Sequence, residues 1–289
     1  MKSIRTHTPL RLGVHVSIAG KLSQAVERAQ ALGCNTMQIF SRSPRGWDAK
    51  PFDPEELERF RVLRKKAEIT PLAVHGSYLI NLASVDPKLQ SRSVKAFIEE
   101  LKRCDQLGAE YLIAHVGSCS DSTEEDGIRR VAKALKTVLK RARFKTMILL
   151  ENTARERGDI GYRIEQIGQL LDQVERHPQI GVCLDTCHLF AAGYDISKTD
   201  GVNRMADEVE KHIGLEKLRF IHVNDSKKGL DCRVDRHQHI GQGGIGLEGF
   251  RAFVNHPVFR DIPMVLETPK DSPQDDPINL KIMRELSRG

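Results

Sequence analysis

Residues 71–117 read PLAVHGSYLINLASVDPKLQSRSVKAFIEELKRCDQLGAEYLIAHVG. Two short apolar runs, LAVHGS from Leu72 and YLIAHVG from Tyr111, flank a long amphipathic stretch. Within residues 93–107, Val94, Phe97, Ile98, Leu101, Cys104 and Leu107 recur at helical spacing, and Gly108 ends the pattern. Runs that are apolar throughout fit strands covered on both faces, as in a parallel sheet. The segment therefore reads as strand, helix, strand.

The same unit recurs outward in both directions. Apolar runs begin near Leu12 (LGVHVS), Thr36 (TMQIFS), Met147 (MILLENT), Ile180 (IGVCLDT), Leu218 (LRFIHVND) and Pro263 (PMVLETP). Further helices are expected around 20–32, 124–143, 163–176, 203–213, 247–255 and 277–286. Another is expected from Asp53, where Asp-Pro-Glu-Glu supplies an N-cap, a proline at the first helical position and an acidic first turn. Eight strands alternate with eight helices at about 36 residues per unit, a spacing that describes a (β/α)8 TIM barrel. An open doubly wound sheet is the alternative, but no Gly-rich phosphate fingerprint accompanies the strands. The whole chain, 1–289, is expected to form one domain of the α/β class.

With 45 Lys and Arg against 39 Asp and Glu, the formal charge is +6 and the pI about 9.0. That balance suits a polyanionic partner, though many soluble proteins share it. No run of ~18 apolar residues is present, so no membrane partner is expected. The opening MKSIRTHTPL lacks the apolar core of a secretory signal. Six cysteines without a CxxC pair read as reduced thiols, which suits the cytoplasm. Cys183 and Cys187 lie beside the candidate site, but enough His and carboxylate groups stand nearby to leave them out of it.

Chemistry gathers at the strand ends. The third strand closes on His75, the fourth on His115, the fifth on Glu151, the sixth on Asp185 with His188 three residues on, the seventh on His222 and the eighth on Glu267. In a barrel these ends form the C-terminal mouth, where active sites lie. One His at a strand end means little; six consecutive strands with metal-competent side chains mean a metal centre. Asp235 and His237 add a D-x-H pair after strand seven, two apart and so able to point the same way in extended chain. Nine such groups exceed one ion and suit two or three, an arrangement typical of phosphoester hydrolysis.

At this point the segments GVCLDTCH (181–188), HVNDSK (222–227) and RVDRHQHIGQG (233–243) resemble the signatures of the endonuclease IV family. HGSYLINLAS, LENTA and GVHVSIAGK are similar to that family's pattern as well, and the resemblance runs from about Leu12 to Glu267. It implies a zinc-dependent apurinic/apyrimidinic endonuclease on a TIM barrel. By that resemblance His75, His115 and Glu151 would hold a first ion. Glu151, which would also be the catalytic carboxylate, would be shared with a second ion bound by Asp185, His222 and Glu267. His188, Asp235 and His237 would hold a third. Zinc is implied, with manganese or iron acceptable to such ligands at some positions. Arg45 and Tyr78 match the side chains that this family inserts into DNA. The implied partner is double-stranded DNA with abasic sites or blocked 3′ ends, and the implied state a monomer. Gly46 after Arg45, and Arg155 after LENTA, depart from the usual pattern without touching a candidate ligand.

Other residues are weighed differently. Arg42, Arg45 and Lys50, with Trp47 among them, read as a DNA-facing loop, and Trp47 could equally pack beneath it. The basic run Lys136, Lys140, Arg141, Arg143 and Lys145 reads as an exposed helix face. His15, Asn224 and Asp225 are candidates to orient ligands from behind. A rival reading is a sugar isomerase or epimerase of the xylose isomerase-like barrels, which would need only Glu151, Asp185, His222 and Glu267.

Overall fold

In the computed structural model, residues 10–120 and 122–288 are described; residues 1–9, at the N-terminus, lie outside them. The elements run β1 (Leu12–Val14), α1 (Gln24–Ala31), β2 (Met37–Phe40), α2 (Pro54–Lys66), β3 (Leu72–His75), α3 (Pro87–Leu107), β4 (Tyr111–His115), α4 (Glu124–Arg141), β5 (Met147–Glu151) and α5 (Ile164–Gln173). They continue with β6 (Ile180–Asp185), α6 (Thr186–Ala191), α7 (Thr199–Glu208), β7 (Leu218–His222), β8 (Asp225–Ser226), β9 (His237–Gln238), α8 (Gly246–Asn255), β10 (Met264–Leu266) and α9 (Asp275–Leu286). Eight strands pair in parallel in the order β1-β10-β7-β6-β5-β4-β3-β2. A parallel bridge between His15 and Gln38 joins the two edges. The molecule is a (β/α)8 TIM barrel.

Local chemistry sets the helix starts. Asp53 accepts from the Glu56 amide at 3.0 Å ahead of Pro54, and Thr123 accepts from the Asp126 amide at 3.1 Å ahead of an acidic first turn. Helix α3 begins earlier than its apolar periodicity predicts, because Asp86 caps it by accepting from Lys88 N at 2.8 Å and Pro87 follows. Gly108, with φ of 66°, closes that helix in the left-handed region that a side chain would strain. Two features have no counterpart in the sequence reading: the short helix α6, and the antiparallel ribbon of β8 with β9. Both are too short to show a period.

The core divides in two. Most apolar residues lie between the strands and the surrounding helices. A smaller cluster, Ala73, Ile113, Leu149, Cys183, Phe220 and Val265, fills the barrel interior with one residue from each of six strands. Side chains alternate along a strand, so the residue two further on points the same way, one layer nearer the mouth. Those next positions are His75, His115, Glu151, Asp185, His222 and Glu267. An apolar plug thus forms the floor on which six polar groups stand.

Candidate metal centre

The upper layer is compact. Glu151, fully buried, occupies its middle. Its Oε2 lies 3.1 Å from His75 Nε2 and 3.4 Å from His115 Nε2, and its Oε1 lies 2.8 Å from His222 Nδ1 and 3.6 Å from His188 Nδ1. His222 Nδ1 is also 3.3 Å from Glu267 Oε2 and 3.9 Å from Asp185 Oδ2. On the other side, Asp235 spans two rings, with His188 Nε2 and His237 Nε2 each 3.2 Å from its oxygens.

Four donor groups follow from these positions, each with its ligand atoms within 4.8 Å of one another. They are His75, His115 and Glu151; Glu151, Asp185, His222 and Glu267; Asp185, His188 and His237; and Cys187, Asp235 and His237. All nine residues singled out in the sequence as metal-competent come together here. Asp185 joins two of the groups because it does two local jobs. One oxygen caps α6 by accepting from His188 N at 2.9 Å, and the other accepts from Asn224 Nδ2 at 2.7 Å.

Ring orientation decides what these groups can hold. A backbone carbonyl only accepts, so a ring nitrogen facing one must carry the proton. His75 Nδ1 donates to Gly76 O at 2.8 Å, His188 Nδ1 to Asn152 O at 2.9 Å and His237 Nδ1 to Glu267 O at 3.0 Å. His222 Nε2 faces Gln38 Oε1 at 2.7 Å. In each neutral ring the remaining nitrogen then offers a lone pair toward carboxylate oxygens. His237 Nε2 is moreover buried without a sound hydrogen bond. Lone pairs facing carboxylates repel unless a cation or proton sits between them, and fixing a histidine tautomer from behind is how proteins orient metal ligands.

The electrostatics agree. Burial by itself would keep these rings neutral, yet the surrounding carboxylates raise the pKa of His75, lift His188 well above the ordinary value and bring His237 to about 9, while Cys183, then Glu267 and Glu151, lift His222 well above it. Burial opposes ionisation of Glu151 and Asp235 too, but the imidazoles hold both carboxyls below their usual range. Burial lowers His115, which has no locking acceptor among the described residues. Burial also pushes the Cys183 thiol up to about 12 and the Cys187 thiol further still, and nine His and carboxylate groups stand together without either. The donor set is therefore His and carboxylate, and it fits divalent zinc-like ions.

Residues behind the site sort themselves by contact. Gln38, buried in β2, was not picked out in the sequence. Besides accepting from His222, its Nε2 donates to Glu267 Oε1 at 2.6 Å and lies 2.9 Å from His15 Nδ1. Its one signal was a polar residue inside the apolar run TMQIF. Asn152 also went unread; its Oδ1 accepts from Asp185 N at 2.7 Å. His15 contacts Glu267 at 3.1 Å and Asn224 orients Asp185, as expected of supporting residues. Asp225 does not orient a ligand. Its carboxylate gathers five amides, those of Ser226, Gly241, Gly243, Ile245 and Gly246, and so shapes the loop entering α8.

Tyr78 stands at the mouth with 59% of its surface exposed, its ring centroid 5.5 Å from that of His75 and 6.1 Å from that of His115. Arg45 is exposed on the loop after β2. Its neighbour Arg42 departs from the reading of a wholly DNA-facing loop: it is buried, with Nε 2.6 Å from Glu100 Oε1. Trp47 lies half-buried beneath the Arg92 guanidinium, 4.2 Å from its centroid.

Comparison with known proteins agrees with this geometry. Residues 26–286 match the model of a family described as "Xylose isomerase-like TIM barrel". The chain is 44% identical over 281 residues to the "Probable endonuclease 4" of Chloroflexus aurantiacus, covering 96% of this chain and 99% of that protein. It superposes on the crystal structure of endonuclease IV from Thermus thermophilus with a TM-score of 0.84 and 38% identity, over 96% of this chain and 99% of the other. A D-tagatose 3-epimerase-like protein shares the fold alone, with a TM-score of 0.72 and 18% identity over 96% and 97% of the two chains.

Proposed function

The chain belongs to the endonuclease IV family, and on that premise we propose that it is a metal-dependent repair nuclease that hydrolyses the phosphodiester 5′ to an abasic site in duplex DNA. The products would be a 3′-hydroxyl and a 5′-deoxyribose phosphate. Blocked 3′ ends, which present a phosphoester to the same mouth, would be trimmed by the same centre. Among the described residues no helix is long and apolar enough to cross a membrane, and we assign the enzyme to the cytoplasm.

The observation that carries the proposal is the set of nine donors whose lone pairs and carboxylates face one another. His75, His115 and Glu151 would hold one zinc ion. Glu151, Asp185, His222 and Glu267 would hold a second, and His188, Asp235 and His237 a third. Four carboxylates against three divalent cations leave the centre at a net charge of +2, suited to an anionic phosphodiester. Divalent ions held there would make water nucleophilic near pH 7 and offset charge on the leaving oxygen.

The remaining work falls to the chain. Glu151 places one carboxylate between two donor groups, its Oε2 toward His75 and His115 and its Oε1 toward His222. It would thereby fix their separation and orient the attacking water. Gln38, Asn152 and Asn224 hold His222, Glu267 and Asp185 in place from behind. Arg45 and Tyr78 would occupy the gap left by the missing base. Flipping an abasic nucleotide sacrifices no base stacking, so the lesion itself lowers the cost of entry.

The test is incision of an oligonucleotide duplex bearing one abasic site, before and after prolonged chelation, with elemental analysis. We expect 5′ incision, about three ions per chain and loss of activity on removing them. Fully active protein with one ion or none would refute the three-ion centre. Sugar epimerisation without incision would transfer the case to the isomerase reading.

A further inference from the structure

Loop 41–50 carries Arg45, and it is held from three directions. Helix α3 supplies the first hold. Glu100, buried, accepts from Ser41 Oγ at 2.5 Å and from Arg42 Nε at 2.6 Å. Arg103, one helical turn along and also buried, reaches both ends of the loop. Its Nε donates to Ser41 Oγ at 3.0 Å, its Nη2 to Ser41 O and its Nη1 to Lys50 O at 2.9 Å, while its guanidinium lies 3.8 Å from the Phe52 ring centroid. The second hold is internal: Arg42 Nη1 donates to Trp47 O at 2.6 Å across the loop. The third links two loops, since Ser77 Oγ donates to Pro44 O at 2.8 Å. Pro44 precedes Arg45 and Ser77 precedes Tyr78.

Two guanidiniums and one carboxylate buried together are costly to assemble, and such a group is a weak device for stability alone. Three of its six hydrogen bonds go to loop carbonyls, those of Ser41, Trp47 and Lys50, so what it does is fix loop shape. We propose that Arg103, held beside Glu100, is a positioning residue for lesion recognition. It sets the loop of Arg45 against the loop of Tyr78 before DNA arrives, so the ordering cost is met in folding rather than in binding. This rests on the DNA reading above and concerns recognition alone; none of the residues in the brace belongs to the donor groups.

Trp47 is the chain's single tryptophan and lies inside the loop, so fluorescence reports on the brace directly. Arg103→Lys keeps the charge but loses the planar fork that spans both loop ends. In a folded variant with unchanged metal content, Trp47 emission should shift to the red and become more open to acrylamide. KM for abasic duplex should rise roughly tenfold while kcat stays near the parent value. Ser77→Ala, which removes only the link between loops, should raise KM without moving Trp47. Unchanged KM in both folded variants would overturn the proposal, as would a fall in kcat with KM unchanged. Failure of the DNA reading looks different: the parent itself would not incise abasic duplex, whereas the Trp47 response would persist.

Discussion

Stripping the metals should reverse the way the protein's stability depends on pH. In the metal-free protein the carboxylates around His75, His188 and His237, and Cys183 with Glu267 and Glu151 around His222, favour protonated rings, and His237 is raised from 6.5 to about 9. A pKa raised by folding contributes stability that is complete below the unfolded value and disappears as pH climbs through the folded one. For His237 the rise from 6.5 to about 9 corresponds to about 3 kcal/mol. The depressed Asp235 is the other partner of that contact, so only one of the two is counted. At roughly 2 °C per kcal/mol for a domain of this size, Tm of the chelated protein should fall by about 6 °C between pH 6.5 and 9. His188 and His222 act in the same direction. Metal-loaded protein should not follow, because ions need neutral imidazoles and bind more tightly as protons leave. The gap in Tm between loaded and stripped protein should therefore widen with pH. Differential scanning calorimetry at pH 6, 7, 8 and 9 measures both. Chelated protein with a flat or rising Tm over that range would refute the facing of rings and carboxylates on which the metal argument depends. Asp185 raises His237 most and Asp235 next, so Asp235→Asn should flatten part of the slope in stripped protein.

Other outcomes follow from the same contacts. His237→Ala and Asp235→Ala should each lose one ion per chain and ~10²-fold in incision rate while remaining folded by circular dichroism; near-normal incision would remove the third ion from the chemistry. Gln38→Leu, which deprives His222 and Glu267 of their shared partner, should weaken metal retention against a chelator by ~10–100-fold, and unchanged retention would make Gln38 a passive core residue. Arg45→Ala and Tyr78→Ala should weaken binding to abasic duplex by about 1–3 kcal/mol each with metals in place; if both bind and cut like the parent, the insertion role is wrong.

The parts that the sequence makes legible share one property: they depend on period. Six candidate ligands were legible as the polar residues that close regularly repeated apolar runs, and the structure shows each standing two residues beyond an interior apolar residue, His75 over Ala73 and Glu151 over Leu149. The helices were readable for the same reason. What stayed hidden has no period. Gln38 sits in an apolar strand where a single polar residue could have pointed either way. Asp225 follows Asn224 directly in HVNDSK, yet one orients Asp185 while the other binds five loop amides. That difference comes from where the chain goes next, through Gly241, Gly243 and Gly246. Arg42 and Arg45 are alike in sequence but opposite in exposure, because Glu100 lies more than fifty residues away in the helix that covers one of them.

The strongest reason to prefer a nuclease over an isomerase lies in what a single ion would leave behind. Glu151, Asp185, His222 and Glu267 form one complete donor group and could serve a sugar enzyme unaided. His75, His115, His188, Asp235 and His237 would then be surplus. Three of those four histidines have Nδ1 fixed on a backbone carbonyl, and two of the three, His188 and His237, present their other nitrogen to Asp235. Neutral rings whose lone pairs face carboxylate oxygens repel them unless a cation or proton lies between, and nothing in sugar chemistry at the first group requires them. Loop and helix have in addition been shaped to bring them in. Asp185 caps α6 so that His188 faces the barrel axis, and Glu156 Oε1 accepts from Asp235 N at 3.0 Å. Supporting structure built around five further donors is what the proposed additional cations would require, and a cluster of cations over an apolar floor would favour a phosphodiester over a neutral sugar.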